Sequence, residues 1–165
     1  MNKNKIVAII PARKGSQRVK NKNIRKFQGV PLVELSIRSA LKCSLIDQIV
    51  VSTDDQVVKD IICRYDIECF DRPPHLAHET ARTFDVLVDV IDRLESTPEF
   101  LVLLQATSPL REIDLIQKGL ALFLKPLASS WKKNTRMVSK LTVAKAHDIQ
   151  TNKLVKKDPC QTWRH

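Results

Sequence analysis

The 165-residue sequence has no apolar run approaching the roughly 18 residues needed to span a bilayer. Its first residues, MNKNKIVAIIPARKG, also lack the long apolar region and small-residue cleavage site of a signal peptide. No membrane partner is expected, and a cytoplasmic location is. Aromatic residues are scarce at 5%, with none among the cations of the first loop. Nucleic-acid modules interleave stacking rings with their basic residues, so nucleic acid is not expected as a partner. The four cysteines (Cys43, Cys63, Cys69, Cys160) form neither a CxxC zinc pair nor a dense disulfide framework, and they read as reduced thiols. Two phosphate-binding signatures, GxxxxGK[ST] and GxGxxG, are missing as well.

What is present reads as one folded domain with an uneven charge. Apolar residues make up 43% and charged residues 28%, enough to build a core and too regular for a disordered chain. The net charge of +10 is concentrated at the two ends. Residues 1–42 carry eleven Lys/Arg against Glu34 alone, and residues 125–165 carry ten against Asp148 and Asp158. With nucleic acid and membrane set aside, a basic excess of this kind suits a small, phosphate-rich molecule.

Apolar, β-branched runs at Lys5 to Ile10, Asp47 to Ser52, Ile67 to Phe70 and Phe100 to Leu104 predict strands. Between them, helical spacing predicts helices over 31–42, with Leu32, Leu35, Ser39 and Leu41 near one side, and over 55–65, capped by Thr53 or Asp54. Further helices are predicted over 81–95, with Phe84, Leu87, Val88 and Ile91 inward, and over 113–124. DRPPHLAHET reads as a loop from its prolines, so His75, His78 and Glu79 are not a zinc helix. Beyond Leu124 the pattern degrades, with MVSKLTVAK a candidate strand and the remainder aperiodic. Strands alternating with helices predict an α/β fold: a three-layer, Rossmann-like, mostly parallel sheet with helices on both faces. Such sheets bind ligands at the carboxyl ends of their strands, where PARKGSQR, STDD and QATSPLR all fall.

The first of these segments carries chemistry. In PARKGSQRVKNKN, a small-residue turn at Gly15 and Ser16 is surrounded by Arg13, Lys14, Arg18, Lys20 and Lys22. Such a turn can present backbone N–H groups to phosphate oxygens while the cations neutralise the charge; a solvated basic loop has the same composition. Asp54 and Asp55 suit helix capping or metal ligation, and Ser108-Pro109 suits turn chemistry or ligand contact.

The succession IPARKGS, KNI, GVPL, VVSTDD, RPPHLAHET and LLQATSPLR resembles the acylneuraminate cytidylyltransferase family over about residues 5–124. The resemblance implies the nucleotide-diphospho-sugar transferase type of fold. It also implies transfer of CMP from CTP to the anomeric hydroxyl of an acidic nine-carbon sugar such as N-acetylneuraminate, with release of pyrophosphate. Legionaminate, pseudaminate and 3-deoxy-manno-octulosonate are alternative sugars. A catalytically inactive paralogue that binds CTP, or that partners a full-length homologue, is the alternative outside catalysis.

Carried over by the same resemblance, Arg13 and Lys22 are the catalytic cations. Ala12, Ser16, Asn23 and Arg72 would contact the nucleotide, and Lys14, a departure from the family, and Gly15 join them on the loop's own composition. Arg82 departs from the family, standing where a small hydroxyl residue is common and bringing an extra cation, and Gln105, followed by Thr107 and Ser108 as the pocket wall, meets the sugar or the nucleotide. The family uses Mg²⁺ held by a late aspartate pair, which has no counterpart here because Asp148 and Asp158 stand alone. The implied organisation is a nucleotide-binding unit over 1–125 and a basic segment over 126–165 left from the sugar-binding and dimerisation region, with a homodimer as the family's assembly.

Overall fold

The computed structural model describes residues 5–16, 19–106, 113–124 and 142–150. Its main sheet contains β1 (Ile6–Pro11), β4 (Gln48–Thr53), β5 (Glu68–Asp71), β6 (Phe100–Leu103) and β7 (Thr142–Lys145) in the spatial order β5-β4-β1-β6-β7. The first four of these are mutually parallel, and β7 adds antiparallel to β6. A separate antiparallel hairpin joins β2 (Lys26–Phe27) to β3 (Val30–Pro31). Gln28 and Gly29, both at positive φ, make its turn, which matches the twist that tight hairpins require.

Helices cover both faces because every residue of β1 from Ile6 to Ile10 is buried. Alternate side chains point to opposite sides of a strand. Ile6, Ala8 and Ile10 enter one core with Val33, Ile37 and Ala40 of α1 (Leu32–Leu41), Val58 and Ile62 of α2 (Gln56–Ile62), and Ile116 and Leu120 of α5 (Ile113–Phe123). Val7 and Ile9 enter a second core with Leu87, Val90 and Ile91 of α4 (Thr83–Arg93) and Ile149 of α6 (Ala146–Gln150). The chain runs outward from β1 to β4 to β5, then crosses back over the other face to β6. Right-handed crossovers require that change of face when the direction of travel reverses. The reversal at β1 is the topological switch point, and it sets the place for a ligand.

Several local expectations need correction. The inward stripe of α1 is Val33, Ile37 and Ala40, the i, i+4, i+7 set, whereas Leu41 is 48% exposed. The cap of α2 is Asp55, whose Oδ1 accepts from Val57 N at 3.0 Å, and the helix ends at Ile62. Pro73 and Pro74 start a one-turn helix, α3 (Pro74–Ala77), inside the expected loop, since proline's fixed φ suits a first turn that needs no amide donor. In α4 the buried set is Val86, Leu87, Val90 and Ile91, with Phe84 and Val88 at its margin. α6 lies in a stretch without sequence periodicity. Cys43 is buried, and Cys63 and Cys69 are exposed and unpaired. Among the described residues, no helix is long and apolar enough to cross a membrane.

Candidate functional site

The loops leaving β1, β4, β5 and β6 meet at the carboxyl edge of the sheet. They enclose a cleft of about 160 Å³, and six of the residues expected from sequence, Arg13, Ser16, Lys22, Asn23, Arg72 and Gln105, line it. Pro11, Ala81, Thr83, Val86 and Ala106 complete the wall. Among the described residues, three cations and no carboxylate line this space, which suits an anion. A larger cavity of about 410 Å³ lies at the opposite edge, beside the first residues of β4 and β5. Among the described residues Asp47, Asp66 and Glu68 line it with no cation beside them in the lining, and that charge would repel a polyphosphate.

The first loop is held from several sides. Ala12 N donates to Ser52 O at 2.9 Å, and the buried Thr53 hydroxyl donates to Ala12 O at 2.6 Å. Lys14 N donates to Asp54 Oδ1 at 2.7 Å. Asn23, 6% exposed within the 3-10 turn Lys22–Ile24, donates its side-chain amide to Arg13 O at 2.8 Å. The Arg13 guanidinium curls onto its own loop, reaching Gly15 O at 3.2 Å. Gly15 sits at φ +69°, and the N–H groups of Gly15 and Ser16 donate to no group among the described residues. Successive unspent N–H groups around a left-handed residue form a concavity for an anion.

Arg72 is the most unusual side chain here. It is 7% exposed, with Nη2 donating to Ser52 O at 2.9 Å and Nε to Ser52 Oγ at 3.3 Å. Among the described residues no carboxylate lies within ion-pair distance of it. Burial pulls its pKa down to about 10, with Asp54 and Asp89 opposing and Arg13 adding to the fall. The group is still charged at neutral pH, and it is a largely desolvated cation open to the cleft.

The other expected residues sit less directly. Ala12 is fully buried and commits both backbone groups to β4. Lys14 is exposed beside the cleft. Arg82 precedes α4, between the lining residues Ala81 and Thr83, and its guanidinium forks onto Asp85 at 2.8 and 3.1 Å. Thr107, Ser108 and Arg18 lie outside the described residues, as does Asp158. Thr83, Val86 and the Ser52–Thr53–Asp54 support were missed as site elements. STDD at the end of a strand was the signal available for the support.

This sheet, with helices on both faces and a cationic cleft at its switch point, is the nucleotide-diphospho-sugar transferase fold. Residues 7–159 match the family described as Cytidylyltransferase, and the chain belongs to it. It is 33% identical over 124 residues to the pseudaminic acid cytidylyltransferase of Campylobacter jejuni, covering 73% of this chain and 53% of that one. It is 37% identical over 110 residues to the N-acylneuraminate cytidylyltransferase of Streptococcus agalactiae, covering 66% and 26%. Among solved structures it is similar to CMP:2-keto-3-deoxy-manno-octonic acid synthetase complexed with CTP, with a TM-score of 0.61, 26% identity, and coverage of 72% and 47%. The chain thus spans about half the length of the first of these relatives and a quarter of the second.

Proposed function

We propose that this chain is the CTP-binding portion of a cytidylyltransferase that transfers CMP to an acidic nine-carbon sugar. The observation that carries the reading is the convergence of Arg13, Lys22 and the desolvated Arg72 on one cleft at the carboxyl edge of the sheet. Relatives named for pseudaminic acid and N-acylneuraminate support the sugar class, with legionaminate a further candidate within it and the shorter 3-deoxy-manno-octulosonate a candidate outside it.

In this reading the triphosphate lies on the Gly15 and Ser16 N–H groups. Arg13 and Lys22 offset the charge that develops as the bond between the α- and β-phosphates breaks. The anomeric hydroxyl oxygen of the sugar attacks the α-phosphorus, its proton leaves to solvent, and pyrophosphate departs. No carboxylate or histidine lines the cleft among the described residues. The contribution of the chain is therefore positioning and charge stabilisation. Asn23 and Arg72 hold phosphate oxygens, with Ala12 and Lys14 beside them. Gln105, followed by Thr107 and Ser108, faces the sugar, and Arg82 adds a cation at the mouth.

Phosphoryl chemistry of this kind takes a divalent cation, here expected to be Mg²⁺. The described residues do not fit a resident metal: no group of three His, Cys, Asp or Glu converges. Asp54, Asp55 and Asp85 are committed to Lys14 N, Val57 N and Arg82. Residues 1–125 carry nucleotide binding in this proposal. The segment 126–165, of which Thr142–Gln150 edges the sheet, belongs to the sugar-binding and dimer-forming region. The cytoplasm is the location it implies.

Isothermal titration with CTP and Mg²⁺, with ATP as the control, tests binding. Pyrophosphate release on adding N-acetylneuraminate tests turnover. CTP binding with release supports the whole proposal, binding without release leaves only the nucleotide site, and no CTP binding rejects it.

A further inference from the structure

The tail of β4 serves the first loop more closely than the cleft lining alone suggests. Three consecutive loop residues are each tied through a backbone group to a side chain distant in sequence. Ala12 O accepts from Thr53 Oγ1 at 2.6 Å, Arg13 O accepts from Asn23 Nδ2 at 2.8 Å, and Lys14 N donates to Asp54 Oδ1 at 2.7 Å. Thr53 is fully buried and Asn23 is 6% exposed. Thr53 Oγ1 also accepts from Asp55 N at 3.1 Å, and Asp55 caps α2. The loop is therefore tied to a helix that packs in the first core as well as to the strand beside it.

Of the three ties, the one from Asp54 stands out chemically. A carboxylate placed beside an anion-binding loop repels the ligand the loop is built for, and here it sits close enough to Arg72 to favour that residue's charged form. Its position makes sense if the carboxylate secures geometry that is worth more than the repulsion costs. Lys14 is the last loop residue before the left-handed Gly15. Fixing its N–H fixes the direction from which the chain enters the turn, and with it the aim of the Gly15 and Ser16 N–H groups. Without the anchor those groups would sample many orientations, and a ligand would have to order them on binding.

We infer that Asp54, completing a three-point clamp with Thr53 and Asn23 on residues 12–14, is a positioning residue that presets the anion-binding turn before any ligand arrives. The inference rests on the proposal that this turn takes the triphosphate, but the clamp itself can be read without a ligand. The loop carries trypsin sites at Arg13 and Lys14, and the exposed Lys42 after α1 serves as an internal control. Asp54→Ala should raise cleavage after Arg13 and Lys14 by about tenfold relative to Lys42, the size expected for losing one charge-assisted hydrogen bond. The same variant should weaken CTP about tenfold and lower the thermal midpoint by only a few degrees, the cost of that one bond.

Asp54→Asn keeps an acceptor for Lys14 N and removes the negative charge. It should restore the slow cleavage and bind CTP at least as tightly as the wild type. A residue acting only through its charge would not be rescued in this way. Unchanged cleavage in Asp54→Ala overturns the clamp whether or not CTP binds, and so does an Asn variant as labile as the Ala variant. A wild-type chain with a protected loop and no affinity for CTP supports the clamp while rejecting the nucleotide reading.

Discussion

Replacing Arg72 with methionine separates the stability of this fold from its proposed ligand affinity. Methionine approximates the length of the side chain and removes its charge. Burial lowers the Arg72 pKa well below the ordinary arginine value, to about 10. At about 1.4 kcal/mol per unit, this corresponds to a desolvation penalty of about 3 kcal/mol. A base whose folded pKa is depressed destabilises the fold while it is charged. The penalty is therefore present in full below about pH 10 and lifts only as the pH rises from there towards the ordinary arginine value. Against it stand the hydrogen bonds to Ser52 O at 2.9 Å and Ser52 Oγ at 3.3 Å. A charged donor contributes about 1.5–3 kcal/mol in such bonds. Ser52 O keeps its bond from Ala12 N in the variant, so only the hydroxyl loses a partner. The terms nearly cancel, and urea unfolding of Arg72→Met should give a stability within about 1.5 kcal/mol of wild type. CTP affinity, read by titration calorimetry, should fall about 10- to 150-fold, because a desolvated cation loses its phosphate contact. A variant destabilised by more than about 3 kcal/mol with unchanged CTP affinity would refute the reasoning and make Arg72 a brace of β4.

Three other perturbations test separate parts of the structure. Arg13→Ala should weaken CTP by about 1.5–3 kcal/mol in the same titration, and unchanged affinity would remove the loop from the site. In Gly15→Ala the new Cβ meets nothing within 4 Å. The cost is therefore the strain of a left-handed alanine, about 1 kcal/mol, seen as a lower thermal midpoint, with weaker CTP binding because the turn re-aims. Glu34 is buried in α1 and accepts from Arg38 at 2.6 Å, Tyr65 at 2.7 Å and Arg64 at 3.2 Å. Burial pushes its carboxyl up, but the hydrogen bonds from Tyr65 and Arg38 and the nearby Arg charges outweigh it, leaving the pKa below the ordinary value of 4.5. A depressed carboxylate contributes stability above its unfolded pKa and loses it as the pH falls through the folded one. Glu34→Gln should therefore cost about 1–3 kcal/mol at pH 7, and the difference from wild type in urea midpoint should shrink as the pH falls below 4.5.

The central strands were legible before any coordinates. A run such as KIVAII, apolar at successive positions, has no polar face to give to water, so it had to lie inside a covered sheet. The same logic identified β4 and β6, and the alternation with helices gave the parallel architecture. The two-residue strands of the hairpin carry too little sequence to register as strands, and five-residue α6, with Ala146 and Ile149 one turn apart, is too short to show a period. The face of α1 was misread because Leu32, Leu35 and Leu41 outweigh Val33, Ile37 and Ala40 in bulk, while packing against β1 selected the smaller set.

The site divides along the same line. By itself the sequence determined that a small-residue turn surrounded by cations follows the first strand, because those properties belong to contiguous residues. It also carried the motif order that places the chain in its family. Only the tertiary structure decided which cations share a cleft. Arg13, Lys22 and Arg72 converge there, while Arg82 forks onto Asp85 and Lys14 gives its amide to Asp54. Convergence depends on strand order and on where each loop leaves the sheet, and those follow from burying both faces of β1 at once, a constraint spread over the whole chain.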